Sequence, residues 1–414
     1  MPSVRVRPAL AAVTAAASLV AACHATPRPL PVPAPVRPEW RAVELALPAG
    51  AAGRPVPRDA ARCAGRWYVV GGLVDAAGET RPAVWSSSDG VTWSPIPVRG
   101  QTFYGRQHVL YAVACRDDGM AALGAKTGGV HGNPRTGTWV WRPGGPVREV
   151  PAAFELFGGP RAVSASRLAA GPGGWLVAGS RADGASVWAS PDAEGFVLRE
   201  GVAELAGDGR GRTAAYDVAA VGSGWLVVGS LLPPGGTARV PLAWSSADGR
   251  VWRRAALPVP AGAAGAAERV VPADGGPVVP ADGGPVVLGP VGDRFAVWRG
   301  CDDCGSPSAG SAGAAQGWRR VGGFGTAGPG VSSVDALAAA GRRLVAVTGD
   351  GAQRRLWMSR DGGASWLPVI TPVPVPDGGD AALAVAVGDD GLFVVADDGK
   401  TSRAWWGALP AIDR

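Results

Sequence analysis

The chain has 414 residues, among them 64 Gly and 38 Pro, and a formal net charge of +6. Gly and Pro together approach the level at which an aperiodic chain reads as disordered, but 17 Trp, only 18% charged residues and a slightly positive mean hydropathy exclude a strongly charged disordered chain. A coiled coil is excluded for want of long Ala/Glu/Lys/Leu/Arg heptads, and a disulfide miniprotein because five Cys are thin for this length.

The amino terminus reads as an address. Arg5 and Arg7 precede an uncharged run from Ala9 to Ala22, followed by small residues, which is the secretory layout. The run is too short for the ~20 residues of a membrane-spanning helix. It ends Leu19-Val20-Ala21-Ala22-Cys23, which resembles the bacterial lipobox. The resemblance implies that residues 1–22 are a signal peptide, that Cys23 becomes the lipidated first residue, and that two or more acyl chains hold the mature chain, of net charge near +4, on the outer face of the cell membrane. An ordinary signal peptide cleaved nearby is the alternative, giving a secreted chain. Residues 23–38 follow as a tether, with Pro at 27, 29, 31, 33, 35 and 38, a composition that favours polyproline II. Such a stretch reaches roughly 45 Å at ~3.1 Å per residue.

From residue 39 onward the sequence repeats. One recurring phrase runs Gly-Trp-Leu-Val-Val-Gly, clearest at Gly174–Gly179 and Gly224–Gly229 and weaker around Trp67–Gly71 and Leu344–Val347. A second Trp closes the next predicted strand at Trp85, Trp141, Trp188, Trp244, Trp298, Trp357 and Trp405. Seven units of about 53 residues, each with room for four short strands, predict an all-β fold: a single seven-bladed β-propeller over residues 39–414. The seventh unit ends near Trp405-Trp406-Gly407 without an outer strand, so the segment around Trp40–Leu45 is expected to supply it and close the ring. Nearly all Trp find a strand position in this scheme, leaving only Trp139 and Trp406 unplaced. That favours packing over a sugar-stacking surface as the reason for so many indoles.

After the second Trp comes a sharper motif. Its copies are Ser87-Ser88-Asp89-Gly90-Val91-Thr92-Trp93, Ser246-Ala247-Asp248-Gly249-Arg250-Val251-Trp252 and Ser359-Arg360-Asp361-Gly362-Gly363-Ala364-Ser365-Trp366, with a decayed copy from Ser190 to Phe196. These resemble the Asp-box, or bacterial neuraminidase repeat, of sialidase-like propellers. The Ser and Asp oxygens can satisfy turn amides, Gly supplies the left-handed position, and Trp packs between blades. The residues that match are structural ones: Ser87, Asp89, Trp93, Ser246, Asp248, Trp252, Ser359, Asp361 and Trp366. The sialidase resemblance implies an Arg triad, a Tyr–Glu pair and an Asp acid, but Arg54-Pro55-Val56-Pro57 is a poor substitute for the usual Arg-Ile-Pro element, and no Tyr pairs with a Glu by motif. No catalytic residue is therefore carried over.

Propeller geometry sorts the loops. Those joining second to third strands share a face with the blade-to-blade connections, opposite the Asp-box turns. Two unusual segments thereby meet: Thr102–His108, entering blade two, and Lys126–Arg135, its second-to-third-strand loop. Tyr104, Arg106, His108, Lys126, His131 and Arg135 are the ligand-binding candidates, against the reading that they are ordinary loop residues packing locally. Cys301 and Cys304 are expected as a local disulfide rather than a metal site, since no second ligand pair exists, and Cys63 and Cys115, at the ends of adjacent first strands, are a possible second. The identical octapeptides at 271–278 and 279–286 read as a local duplication tolerated in a turn. No nucleophile elbow or zinc spacing occurs. The expectation is an exported, monomeric, membrane-anchored binding or assembly module that contacts an envelope protein or surface glycan, without cofactor, metal or nucleic acid. A glycoside hydrolase acting on surface glycans is the alternative.

Overall fold

The computed structural model describes residues 34–117, 119–126, 134–272, 284–300, 317–327 and 331–409. His131, the lipobox with Cys23, Cys301, Cys304 and most of the duplicated octapeptide lie outside these residues. The chain from Pro35 onward is one compact unit.

Its seven sheets are the seven expected blades, each a meander of four antiparallel strands around a common axis. The inner strands begin at Arg54, Val109, Ala162, Arg212, Arg269, Ser333 and Ala382. Blade two gains a short parallel strand at Val98–Arg99, and blade six a pairing of Val375–Pro376 with Gln353–Arg354. The last blade is closed by the amino-terminal strand Trp40–Val43, antiparallel to Ser402–Ala408, with Trp40 opposite Gly407 and Val43 opposite Ala404. Just before it, Val36 bridges to Val369 on the outer strand of blade six, and the Trp40 indole donates to the Ile370 carbonyl at 2.8 Å. Residues 36–43 thus lace two blades together and cover edges that would otherwise be free to pair with another chain.

The ladder of third-strand Trp holds in six blades and needs one correction. In blade two the sequence pattern points to Trp141, but Trp139 occupies the ladder position. Trp139 pairs with Ala122, as Trp188 pairs with Val177 and Trp244 with Val227. Trp139 is fully buried, whereas Trp141 is only half-buried and packs edge-on against Tyr68. Residues two apart on a strand face the same side, so periodicity alone could not separate them. Trp406, unplaced by the sequence, packs edge-on against Trp67 at 5.0 Å and sits over Gly90, where a Cβ would collide with its ring.

The Ser-x-Asp turns have the expected local chemistry. Asp89 Oδ1 accepts from the Val91 and Thr92 amides at 2.8 and 2.7 Å, Ser87 Oγ accepts from the Gly90 amide at 2.8 Å, and the Trp93 indole donates to the Gly90 carbonyl at 3.0 Å. These amides hold the Asp89 carboxyl well below its ordinary pKa. Asp248 and Asp361 bind turn amides in the same way. The decayed turn of blade three keeps the geometry around Asp192, with Ala193 in the left-handed conformation that Gly takes elsewhere (φ 68°).

Cys63 and Cys115 form a disulfide with Cα atoms 6.0 Å apart, joining the inner strands of blades one and two. The ladder assignment gives a prediction. Trp139→Phe should cost about 1–2 kcal/mol through the lost indole bond and reduced packing, and Trp141→Phe less than about 0.5 kcal/mol, measured by guanidinium unfolding. Equal costs would return the ladder position to open question.

Candidate functional site

Two polar regions stand out among the described residues. One is the region expected from the sequence, around blade two. The other is the central channel, which the sequence reading missed.

At blade two the chain enters through residues 101–108, folded tightly over one buried carboxylate. Glu149, on the outer strand of the blade, accepts from the amides of Gln101 and Thr102 at 2.6 and 2.7 Å and from the Thr102 hydroxyl at 2.6 Å. A side chain at Gly105 would collide with that carboxylate. The fold of this loop pushes Phe103 and Tyr104 outward, 65% and 38% exposed. The Arg135 guanidinium lies 5.2 Å from the Tyr104 ring and 4.2 Å from the Phe154 ring. Phe154 projects from a single helical turn, Phe154–Phe157, that enters blade three. Phe157 packs beneath this turn against Trp188, whose indole donates to the Leu156 carbonyl at 2.6 Å.

The expected site residues therefore divide. Tyr104 and Arg135 come together, and Arg106 shares the Tyr104 turn, bonding only the Gln101 carbonyl. Lys126 turns toward blade one, 3.7 Å from Glu79 and 3.5 Å from the Thr80 hydroxyl. His108 is not presented to a ligand: it is 2% exposed, and its Nδ1 accepts the Trp139 indole hydrogen at 3.2 Å. Burial pushes its pKa down to about 4, against the pull of Glu149. Phe154 and Glu149 carried no sequence signal, because their roles arise only when two blade connections meet.

The channel is lined by a repeated irregularity. Inner strands bulge between Pro57 and Asp59, Leu110 and Ala112, Ala165 and Arg167, Ala215 and Asp217, and Val334 and Ala336. In four blades a second-strand glycine permits the close approach: a Cβ at Gly71, Gly179, Gly229 or Gly289 would strike an inner-strand carbonyl. The bulges place Arg58, Tyr111, Ser166, Tyr216 and Asp335 at one level, and Asp59, Arg167 and Asp217 at the next. Glu268 and Arg269 continue the two levels in blade five.

These side chains are bonded mainly to one another and to backbone. Asp59 accepts from Ala60 N in its own blade and Val113 N in the next, at 3.0 and 2.9 Å; Asp217 does the same with Val218 N and Val270 N, at 2.8 and 3.0 Å. Arg167 spans the channel from blade three, donating to Asp59 Oδ2 at 2.9 Å and to the Asp335 carbonyl of blade six at 3.0 Å. Arg269 reaches the same carbonyl at 2.9 Å. The Asp335 carboxylate takes Arg354 and Ser333, and Asp397, fully buried, takes Arg54 and Arg58 at 2.7 Å each. A cavity of ≈ 220 Å³ opens on this plug, lined by Asp59, Arg62, Arg167, Asp217 and Arg269 together with apolar residues such as Leu168 and Val218. Glu268 Oε2 accepts from the Val334 amide at 2.6 Å, and burial pushes its pKa up to about 7 against the pull of that bond. Tyr216 bonds the Ser230 hydroxyl at 2.9 Å, with Arg239 3.4 Å from the phenol oxygen.

Among the described residues no cluster of His, Cys, Asp or Glu could hold a metal ion, and no helix is long and apolar enough to cross a membrane. No protein-family model and no curated protein matches the sequence. Solved structures do resemble it. The Hadza microbial sialidase Hz136 shares 14% identity over 86% of this chain and 66% of its own, with a TM-score of 0.42. A phage phi92 endosialidase shares 10% over 91% and 70%, with a TM-score of 0.42. A puromycin-hydrolyzing peptidase of Mycobacterium tuberculosis shares 11% over 90% and 56%, with a TM-score of 0.48. The chain thus spans just under two thirds of the first of these structures. The likeness is one of fold alone.

Two predictions follow from the buried groups. His108 holds a folded pKa below its ordinary 6.5, so the unfolded chain binds the proton first. Stability due to His108 is complete above about pH 6.5 and is lost as pH falls through about 4, by up to about 3 kcal/mol at ~1.4 kcal/mol per unit. Glu268 acts oppositely: its contribution is greatest below its ordinary 4.5 and falls as pH rises through about 7. Thermal melts from pH 4 to 8 should show a flattened acid limb in His108→Gln and a flattened neutral limb in Glu268→Gln. Arg167→Met should cost about 3 kcal/mol by leaving Asp59 without its guanidinium, measured by urea unfolding; a neutral outcome would mean that the backbone amides alone hold the carboxylate.

Proposed function

We propose that this chain is an exported, lipid-anchored Asp-box propeller that binds an envelope partner and does not cleave it. The observation that carries this reading is the engagement of the carboxylates at the channel. Hydrolysis of a glycosidic bond commonly needs two carboxyl groups, one of them available as nucleophile or base. Asp59, Asp217, Asp335 and Asp397 are each held by backbone amides, arginines or both. The Tyr111 hydroxyl, buried and with its pKa pushed up by that burial, donates to the Ala165 carbonyl at 2.6 Å. Export is supported by the Cys63–Cys115 disulfide, which calls for an oxidising compartment, and anchoring by the Leu19–Cys23 sequence.

One observation favours the alternative, a glycoside hydrolase. Burial raises the Glu268 carboxyl to about 7, the range of a general acid, and the Arg239 that bears on it electrostatically lies 3.4 Å from the Tyr216 phenol oxygen. The test is turnover of fluorogenic sialosides and xyloglucan fragments by the full chain. No turnover is expected; activity that disappears in Glu268→Gln would establish the hydrolase instead. For the anchor, Cys23→Ser should move the chain from the membrane fraction to the soluble fraction. Retention of the Ser variant in the membrane would remove the lipid from the proposal.

A further inference from the structure

The exposed aromatic surface at blade two has a chemistry of its own. Phe103, Tyr104 and Phe154 are 65%, 38% and 47% exposed, and they come from two successive blade connections. Large exposed aromatics grouped with Arg are the composition of a binding hot spot. Their supports are rigid. Glu149 fixes the loop bearing Phe103 and Tyr104 through three hydrogen bonds, and the Trp188 indole fixes the turn bearing Phe154. Little ordering entropy would remain to be lost on binding.

Two features select the partner. The first is charge. Arg135 stands between the Tyr104 and Phe154 rings, and Arg106 bonds only a carbonyl. Among the described residues neither has a carboxylate partner, whereas Arg54, Arg58, Arg161 and Arg354 do. The second is ring geometry. Phe103 and Tyr104 meet at 82°, edge to face, and the guanidinium of Arg135 covers one face each of Tyr104 and Phe154. A sugar ring stacks on open, flat aromatic faces. Here Arg135 occupies one face of each of two of the three rings and the third meets Tyr104 edge to face, so ring edges and a guanidinium are offered together, which suit apolar and acidic side chains.

We propose that this surface binds an acidic polypeptide segment, whose carboxylates pair with Arg135 and Arg106 and whose apolar side chains lodge against Phe103, Tyr104 and Phe154. The proposal rests on the reading of the chain as a binding module and names the partner class of that site.

The experiment is selection of a displayed library of twelve-residue peptides on the full chain, followed by affinity measurement on synthetic versions of the selected peptides. Selected sequences should be rich in Asp or Glu together with Leu, Phe or Trp. Their affinity should fall at least ten-fold in Phe103→Ser and in Arg135→Glu, with melting temperatures unchanged. Arg135→Glu should in turn prefer peptides in which one acidic residue is replaced by Lys, a reversal that general damage to the fold could not produce. Arg106→Glu serves as a second charge variant on an exposed side chain. Basic or absent peptide enrichment, or affinity indifferent to Arg135→Glu, would overturn the proposal. Binding of phosphatidylserine vesicles or of a polysialic acid chain through Phe103 and Arg135, in preference to the peptides, would also overturn it and give the surface to lipid or glycan. Glycan turnover would instead defeat the binding-module reading, so the two failures remain distinguishable.

Discussion

A buried indole has one hydrogen to donate, and in this fold the position of that hydrogen organises the ring. The third-strand Trp of blades one, three, four and five donate to carbonyls of Ala46, Leu156, Glu204 and Pro258, at 2.6 to 2.8 Å. Each acceptor lies in the connection that enters the same blade from its predecessor. An unmet indole N–H in such a site would cost a desolvation penalty of about 1–3 kcal/mol, so each connection is held where it can accept. Blade two replaces the carbonyl with His108 Nδ1, and blade six turns the indole of Trp357 to Thr348. The histidine is thereby explained by the same constraint as the backbone carbonyls: it must be neutral to accept, and its burial keeps it neutral.

With the connections fixed, the channel becomes the remaining problem. Seven inner strands meet around an axis, and in five of the blades the inner strand bulges by one residue. At the bulges of blades one and four, Asp59 and Asp217 take up inner-strand amides of the following blade. Those buried carboxylates require cations in turn, and Arg167 and Arg269 supply them while tying blades three and five to the Asp335 carbonyl. The plug is thus a chain of consequences that starts in backbone geometry. That origin weakens the case for chemistry at the channel, since the charged groups there are already required by the fold.

The sequence made the blades legible because indole and glycine recur with the period of the blade, and the missing strand of the seventh unit pointed to Trp40. It misplaced one rung, since Trp139 and Trp141 share a face and only packing separates them. The channel plug was less visible. Its signal is a pair of polar or charged residues ahead of a short apolar run, as in Arg58-Asp59-Ala60-Ala61, Tyr216-Asp217-Val218-Ala219 and Glu268-Arg269-Val270-Val271. Such a pair at a strand start resembles solvated polar residues unless the bulge beneath it is known. At blade two, Tyr104 and Arg135 were legible as a polar cluster, but the exposure of Phe103 and the burial of His108 were not. Both depend on how Glu149 folds the loop, a contact 47 and 48 residues distant in sequence.

The placement of the aromatic surface follows from the same constraints. A loop that must offer an acceptor to a ladder Trp is anchored at that point, and its remaining residues are free to vary. In blade two the anchor is His108, which secures the carboxyl end of the loop while Glu149 secures its start. Between two fixed ends, Phe103 and Tyr104 stay outside while His108 and Trp139 pack together in the core. At the next connection Trp188 fixes Leu156 and leaves Phe154 outside in the same way. The apolar surface is therefore held open by the packing that stabilises the ring. A protein that exposes such rings in a rigid arrangement bears a standing cost in water of about 25 cal/mol per Å² of apolar surface. Coverage by a partner recovers that cost without any rearrangement of the blades.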